Sequence, residues 1–198
     1  MKTVLAACLL LFGMFTVGVG LGKQNGFPLF KQSAKAPPGE FPVLDPSPPK
    51  RIRIPSIGVD ATVHAVGTER DGSISVPAPR LRNEAGWYRH GPSPGEYGPA
   101  ILVGHVDTKD KPAIFHRLRE LEPGAKIEIA RRDRKVAVFE VNSVEQFNKE
   151  RLPAAKVYQD FSRPALRLIT CGGNWVGGAT GYADNIIVFA SLVSSRPA

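Results

Sequence analysis

After residue 50, apolar residues occur in short runs that alternate with polar residues or are rich in β-branched side chains. Short runs of this kind, bounded by Gly, Pro, Asp or Asn, predict β-strands. The polar stretch 131–135 joins two alternating runs and predicts a hairpin. The predicted strand segments are RIRIPSIGVDATVHAV, SISVPAP, AGWYRHG, AILVGHVD, KIEIARRD, KVAVFEVNSVEQF, ALRLITC and NIIVFASLV.

One segment has helical spacing instead. In Ala113–Leu121 the apolar residues Ile114, Leu118 and Leu121 recur at helical intervals, and Pro123-Gly124 follows. The sequence therefore predicts about eight strands with one or two short helices. That pattern is typical of an all-β fold, a closed or nearly closed β-barrel.

The N-terminus differs in composition from the rest. Val4–Leu21 is apolar and uncharged, between Lys2 and Lys23, and predicts a membrane anchor or a cleaved signal peptide, with a buried helix as a third alternative. Residues 1–22 are interpreted as this segment, residues 23–50 as a Pro-rich linker and residues 51–198 as the folded domain. The linker is either an extended spacer or simply disordered. We expect a single-pass anchor with the domain on the extracellular side, or secretion after signal cleavage.

The chain has a formal net charge of +8. A basic exported domain would be attracted to anionic lipid or cell-wall polymer, although genome composition also explains such a charge. No nucleic-acid-binding motif is recognisable, so nucleic acid is not an expected partner.

Cysteine usage points to chemistry. The chain has two cysteines, and Cys8 lies in the N-terminal apolar run, so Cys171 has no partner in the domain. A leftover cysteine in an exported protein suggests a reactive thiol, an intermolecular bridge or a buried structural residue. Cys171 ends the apolar run ALRLIT and precedes Gly172-Gly173, a junction where a strand fixes the thiol and glycines allow a substrate backbone to approach.

A thiol nucleophile needs a base or a cation beside it. Of the four histidines, His105 ends the apolar run AILV after Gly104 and so has the same strand-end position as Cys171. His64, His90 and His116 lack it. No two histidines have metal-ligand spacing and one cysteine cannot form a structural zinc site, so no metal is expected.

The motifs AILVGHVDT, LRLITCGG and YADNIIVFA, with the opening RIRIPSIGVDATV, resemble those of the sortases. These are cysteine transpeptidases of Gram-positive cell surfaces, and the likeness is to the class E/F groups of high-GC bacteria. The N-terminal apolar segment and the Pro-rich linker fit the layout of that family. The order of His before Cys differs from papain-like and NlpC-type peptidases.

The resemblance implies a closed eight-stranded β-barrel that binds an LPxTG-like sorting signal and needs no cofactor. It implies that Cys171 attacks the Thr–Gly carbonyl to form an acyl-thioester, and that His105 protonates the leaving amine. The acyl group then passes to an amine of a peptidoglycan precursor or a pilin lysine. The implied partners are surface proteins that carry the sorting signal.

One position departs from the family pattern. An arginine is expected on the strand after the cysteine, and Ala183 occupies that position. Loss of one oxyanion donor typically costs about 10²–10³ in rate. Another group substitutes for the arginine, or the chain is an impaired or altered relative.

Four residues near these motifs are weaker candidates for substrate binding or for support of the catalytic pair. Asp107 is positioned to orient the His105 imidazole or to stabilise a turn, and Thr170 is expected to point away from Cys171 and to pack. Trp175 could line a groove or cap the barrel, and Asn185 is the fourth. The leading hypothesis is a membrane-anchored sortase. The alternatives are an exported thiol peptidase of the same fold and a sortase-like peptide-binding protein without turnover.

Overall fold

The computed structural model of the protein describes residues 41–108, 111–178 and 181–198. The predicted N-terminal segment 1–22 and most of the predicted linker lie outside these residues. Within the described ranges, no helix has the length and apolar character needed to cross a membrane.

Eight strands form a closed barrel in the order β1-β2-β3-β4-β9-β10-β8-β7, and β5 and β6 form a separate two-stranded sheet. The strands and the single α-helix of the described residues are β1 (Pro49–Ile54), β2 (Val59–Val66), β3 (Ala85–Tyr88), β4 (Gly98–Val103), β5 (Asp107–Thr108), β6 (Lys111–Pro112), β7 (Lys126–Arg131), β8 (Lys135–Asn148), α1 (Ala154–Tyr158), β9 (Pro164–Gly177) and β10 (Gly181–Pro197). The prediction of an all-β closed barrel is confirmed.

The predicted hairpin is confirmed in β7 and β8. The two strands pair antiparallel, with Ala130 opposite Val136, and a tight turn joins them. Arg134 in this turn has a φ of 64°, the left-handed conformation that such a reversal requires.

One local prediction is confirmed only in part, and another is wrong. The segment Ala113–Leu121 forms turns and a 3-10 helix over Leu118–Glu120, with no α-helix. Its hydrogen bonds span three residues, as from the Leu118 amide to the Phe115 carbonyl, because Phe115, Leu118 and Leu121 must all reach the core from a very short segment. The run SISVPAP forms only an isolated bridge between Thr68 and Ile74, since its prolines lack the amide donors of a strand.

The barrel interior is the main core, and it fixes which face of each strand points inward. Leu166 and Leu168 of β9 belong to this core, with Leu102 of β4. Ile169 lies instead in a second cluster with Val103 on the outer face. Because side chains alternate along a strand, residues of β9 with the parity of Ile169 point outward.

The chain before β1 packs on the barrel. Leu44 is buried in the main core, and its amide donates to the Gly95 carbonyl at 2.9 Å. The fully buried Arg131 guanidinium donates to the carbonyl oxygens of Asp45 and Pro94 and pairs with Asp133 at 2.7 Å. This network fastens the N-terminal side of the domain to the end of β7.

Candidate active site

Cys171 lies in β9 and is partly exposed. It is the one free cysteine of the described residues. Its position in β9 has the parity of Ile169, so its side chain points to the outer face of the barrel. Pairing with β10 continues through this position, with Asn185 opposite Cys171, whereas the pairing with β4 ends at Ile169.

His105 follows β4, the strand that pairs with β9 on one side. The pairing is parallel, with Val103 opposite Ile169, and the Gly104 amide donates to the Ile169 carbonyl at 3.1 Å. The pairing ends there, and His105 and Cys171 each follow two residues later in the chain. Parallel strands lie about 4.8 Å apart, so this register brings the backbones of these two segments to the same part of the sheet.

Thr170 connects β9 with the end of β4, one residue before Cys171. It is buried, and its Oγ1 donates to the Gly104 carbonyl at 2.8 Å. Its side chain therefore points away from the Cys171 face, as the sequence predicts. This hydrogen bond connects the residue before the cysteine with the residue before the histidine.

A backbone carbonyl holds the His105 imidazole. Nε2 lies 2.7 Å from the Pro77 carbonyl oxygen. A carbonyl oxygen can only accept, so Nε2 carries the proton in this contact and Nδ1 is the nitrogen left to exchange a proton with a substrate. The same contact orients the ring, which is the role of the third group in a nucleophile–base arrangement.

Asp107 does not orient the imidazole in this structure. Its carboxylate accepts a hydrogen bond from the Tyr182 hydroxyl, which ties β5 to the start of β10. Trp175 is 66% exposed and contacts the Tyr182 ring edge to face, with centroids 5.1 Å apart. Trp175 therefore packs against Tyr182 while most of its side chain stays exposed.

A groove of about 310 Å³ opens beside Cys171. The groove lies over the inward-facing residues that flank the thiol, whereas His105 and Asn185 lie outside its lining, on the outer face. Cys171 thus stands where the groove and the outer face meet. The lining residues are Val106, Asp107, Phe115, His116, Arg119, Glu120, Thr170, Cys171, Gly172, Gly173, Tyr182 and Ile186.

The charges of the groove are partly paired. Arg117 donates to Glu120, with Nε at 2.9 Å and Nη2 at 2.6 Å, and holds the pKa of that carboxyl below its usual range. Glu120 therefore stays anionic and engaged. The exposed Arg119 guanidinium has no hydrogen-bond or ion-pair partner among the described residues, so it is free to contact an anion or a carbonyl oxygen. No group of metal-ligating side chains forms within the described part of the chain.

The predicted strand-end position is wrong for Cys171, which lies inside β9 because that strand continues to Gly177, whereas His105 does follow the end of β4. The family model for the sortase domain matches residues 52–193. The chain belongs to the sortase family. Among curated proteins, no sequence relative is found for this sortase.

Solved sortases share the fold at low sequence identity. Listeria monocytogenes sortase A is similar with a TM-score of 0.57 and 18% identity, over 78% of this chain and 92% of that one. Group B Streptococcus Pilus Island 1 sortase C2 has a TM-score of 0.56 and 17% identity, over 73% of each chain. A Clostridium perfringens sortase D5 transpeptidase has a TM-score of 0.54 and 22% identity, over 74% of this chain and 79% of that one. At these identities the likeness shows the fold.

Several site residues of this sortase carry no signal in the sequence. Pro77 lies in a proline-containing loop far from the two motifs, and its carbonyl is a backbone group that any residue supplies. Arg119 belongs to the segment predicted as a helix, and nothing in its spacing connects it with Cys171. Tyr182 precedes the Ala183 position and shows its contact with Asp107 only once β10 is folded.

Proposed function

We propose that this sortase is a transpeptidase that cleaves an LPxTG-like sorting signal and transfers the protein to an amine of the cell wall or a pilin. The observation that supports the proposal is the parallel register of β4 and β9, whose last pair, Val103 and Ile169, lies two residues before His105 and Cys171. Family membership supports cysteine transpeptidase chemistry. The assignment to class E or F stays a prediction.

In the first half-reaction the Cys171 thiolate attacks the carbonyl carbon of the scissile Thr–Gly-type bond. The S–C bond forms and the carbonyl electron pair moves to oxygen, which gives a tetrahedral oxyanion. The oxyanion collapses as the C–N bond breaks, and the His105 imidazolium gives its proton to the leaving amine. The products are an acyl-thioester on Cys171 and the released C-terminal fragment.

In the second half-reaction an acceptor amine attacks the thioester carbon. Neutral His105 takes the proton of the attacking amine, the new amide bond forms, and the thiolate leaves as the S–C bond breaks. The pairing of β9 with β10 supports Cys171 through both half-reactions, and the hydrogen bond to the Pro77 carbonyl supports the His105 ring. The enzyme then returns to its starting protonation state.

Placement outside the cell is part of the same proposal. The apolar segment Val4–Leu21 would anchor the protein with its domain on the extracellular side, where sorting signals and acceptor amines occur. Secretion after signal cleavage is the alternative. An exported thiol peptidase differs from the proposal only in using water as the acceptor, and the partly exposed thiol is compatible with both.

The test combines the full chain, purified in detergent micelles, with LPxTG-like peptides and with glycine-based or diaminopimelate-type amines. Mass spectrometry should show an acyl-enzyme on Cys171 and an amide product that depends on the added amine. Cys171→Ala should abolish both species, because no other thiol lies in the domain. His105→Ala should lose product by about 10²–10⁴, the usual contribution of a positioned acid–base group.

The matched control is His90→Ala, which removes an exposed imidazole at a distance from β9. It should keep most of the activity. Peptide cleavage by Cys171→Ala at the wild-type rate would refute the proposal that the protein is a cysteine transpeptidase. Hydrolysed product alone, at every amine concentration, would instead mark the protein as a peptidase.

A further inference from the structure

We propose that the Asn185 side chain donates its amide N–H to the substrate carbonyl oxygen when Cys171 attacks. This inference rests on the proposed thiol chemistry and names the group that binds the oxyanion in a site where Ala183 offers no side-chain donor. A tetrahedral oxyanion needs preorganised donors, and an asparagine amide is an established type of such a donor.

Strand register places Asn185 next to the nucleophile. In the antiparallel pair of β9 and β10, Asn185 stands directly opposite Cys171. Directly opposed residues share a face, with Cβ atoms about 4.5–5.5 Å apart. The Asn185 amide is therefore within reach of an oxygen on a carbon bonded to Cys171 Sγ.

The strand order gives the site two sides. β9 lies between β4 and β10, so His105 and Asn185 flank Cys171 from opposite strands. An acyl group on the sulfur would have the proton donor towards β4 and the hydrogen-bond donor towards β10. Acyl transfer requires both donors, because the bonds to the leaving amine and to the oxyanion oxygen point in different directions from the tetrahedral carbon.

The amide is available for this role and its backbone is rigid. Asn185 is half-buried, and its side chain has no hydrogen-bond partner among the described residues. β10 pairs with β9 on one side and with β8 on the other, where Phe147 is opposite Asn185. The preceding Asp184 accepts hydrogen bonds from Gln146 at 2.5 Å and from Asn148. The backbone that carries the donor is therefore held in place before substrate arrives.

Two other groups fit less well. Ala183 lies in an irregularity of the β9–β10 pairing, between the pairs Tyr182–Trp175 and Asp184–Gly172, and is displaced along β10 from the thiol. Arg119 is a free cation, but it lines the groove with the inward-facing Ile186. It therefore belongs to the groove lining, whereas Asn185 is paired directly with Cys171.

The experiment measures single-turnover acylation of Cys171 in the full chain with two acyl donors, the LPxTG-like peptide and p-nitrophenyl acetate. The variants are Asn185→Ala and Asn185→Asp, which keeps the shape but replaces the donor by an anion. The matched control is Asn174→Ala, an exposed asparagine on the same strand as the thiol. Alkylation of Cys171 by iodoacetamide, which forms no oxyanion, reports thiol integrity.

Both Asn185 variants should acylate about 10²–10³-fold more slowly at saturating peptide, and the ester should show a loss in the same direction. Alkylation should stay within about twofold of wild type, and Asn174→Ala should behave as wild type. A wild-type acylation rate in Asn185→Ala with both donors would overturn the inference. A further variant, Arg119→Ala, is compared in the same assay. A slower acylation at saturating peptide in Arg119→Ala but in neither Asn185 variant would also overturn the inference. A wild type that reacts with the ester but never with the peptide would refute the proposed sorting substrate, while the ester rates still decide the role of Asn185.

Discussion

Substitution of Thr170 tests whether its hydrogen bond between β9 and β4 maintains the relative position of the segments that carry Cys171 and His105. Its hydroxyl makes a 2.8 Å hydrogen bond with the Gly104 carbonyl, within a buried contact between β9 and β4. Thr170→Val keeps the shape of the side chain and removes the donor, which leaves the Gly104 carbonyl without this partner. An unsatisfied buried group costs about 1–3 kcal/mol, and we expect a loss of about 1.5 kcal/mol in the free energy of unfolding.

For a domain of this size, a loss of about 1.5 kcal/mol corresponds to a Tm about 3–6 °C lower. Activity should fall further than stability alone explains. The bond joins the residues that precede Cys171 and His105, and a displacement of about 1 Å between reacting groups can cost about 10²-fold. We expect kcat/KM to fall roughly tenfold with the protein still fully folded at the assay temperature.

The assay pairs thermal unfolding, followed by circular dichroism, with steady-state peptide cleavage. Thr170→Ser is the matched control, because it keeps the hydroxyl and loses only the methyl group. Thr170→Ser should retain a larger share of kcat/KM than Thr170→Val. Equal losses in the two variants would show that methyl packing, rather than the hydrogen bond, maintains the site, and the reasoning would be refuted.

Two further predictions concern the rest of the domain. Ala183→Arg should leave kcat/KM flat or lower it, because the position lies in the pairing irregularity and Asn185 already supplies a donor; a large gain in peptide cleavage would contradict this. Asp133→Ala should reduce the free energy of unfolding by about 2 kcal/mol, below the usual ~3–5 for a broken buried pair, because Arg131 keeps its two carbonyl acceptors. The hydrogen bond from Arg131 lowers the pKa of Asp133, so its contribution is present above the ordinary carboxyl pKa and is lost as the pH falls through the folded-state value. The Tm difference between wild type and variant should therefore shrink on acidification, and a difference that persists unchanged at low pH would refute the assignment.

The alternation of apolar and polar residues was enough to predict the barrel strands and the β7–β8 hairpin. A strand of this kind has a short-range signature, since every second side chain must enter the same core. At Ala113–Leu121 the spacing predicted more helix than forms, since only Leu118–Glu120 is a 3-10 helix and the apolar spacing reflects contacts with the core. Helix α1 was missed because five residues leave too short a pattern to detect.

For the site, the sequence by itself determined the candidate nucleophile and base, because a lone cysteine and a histidine that each end an apolar run are local features. The tertiary structure decided how they meet. Only the pairing of β4 with β9 brings the segments that lead to His105 and Cys171 together, and only the pairing of β9 with β10 puts Asn185, rather than Ala183, opposite Cys171. The contacts of His105 with Pro77 and of Asp107 with Tyr182 could not be predicted from the sequence either. These relations join residues far apart in the chain, and register between distant strands is fixed by the closure of the barrel and by its core, which no local pattern encodes.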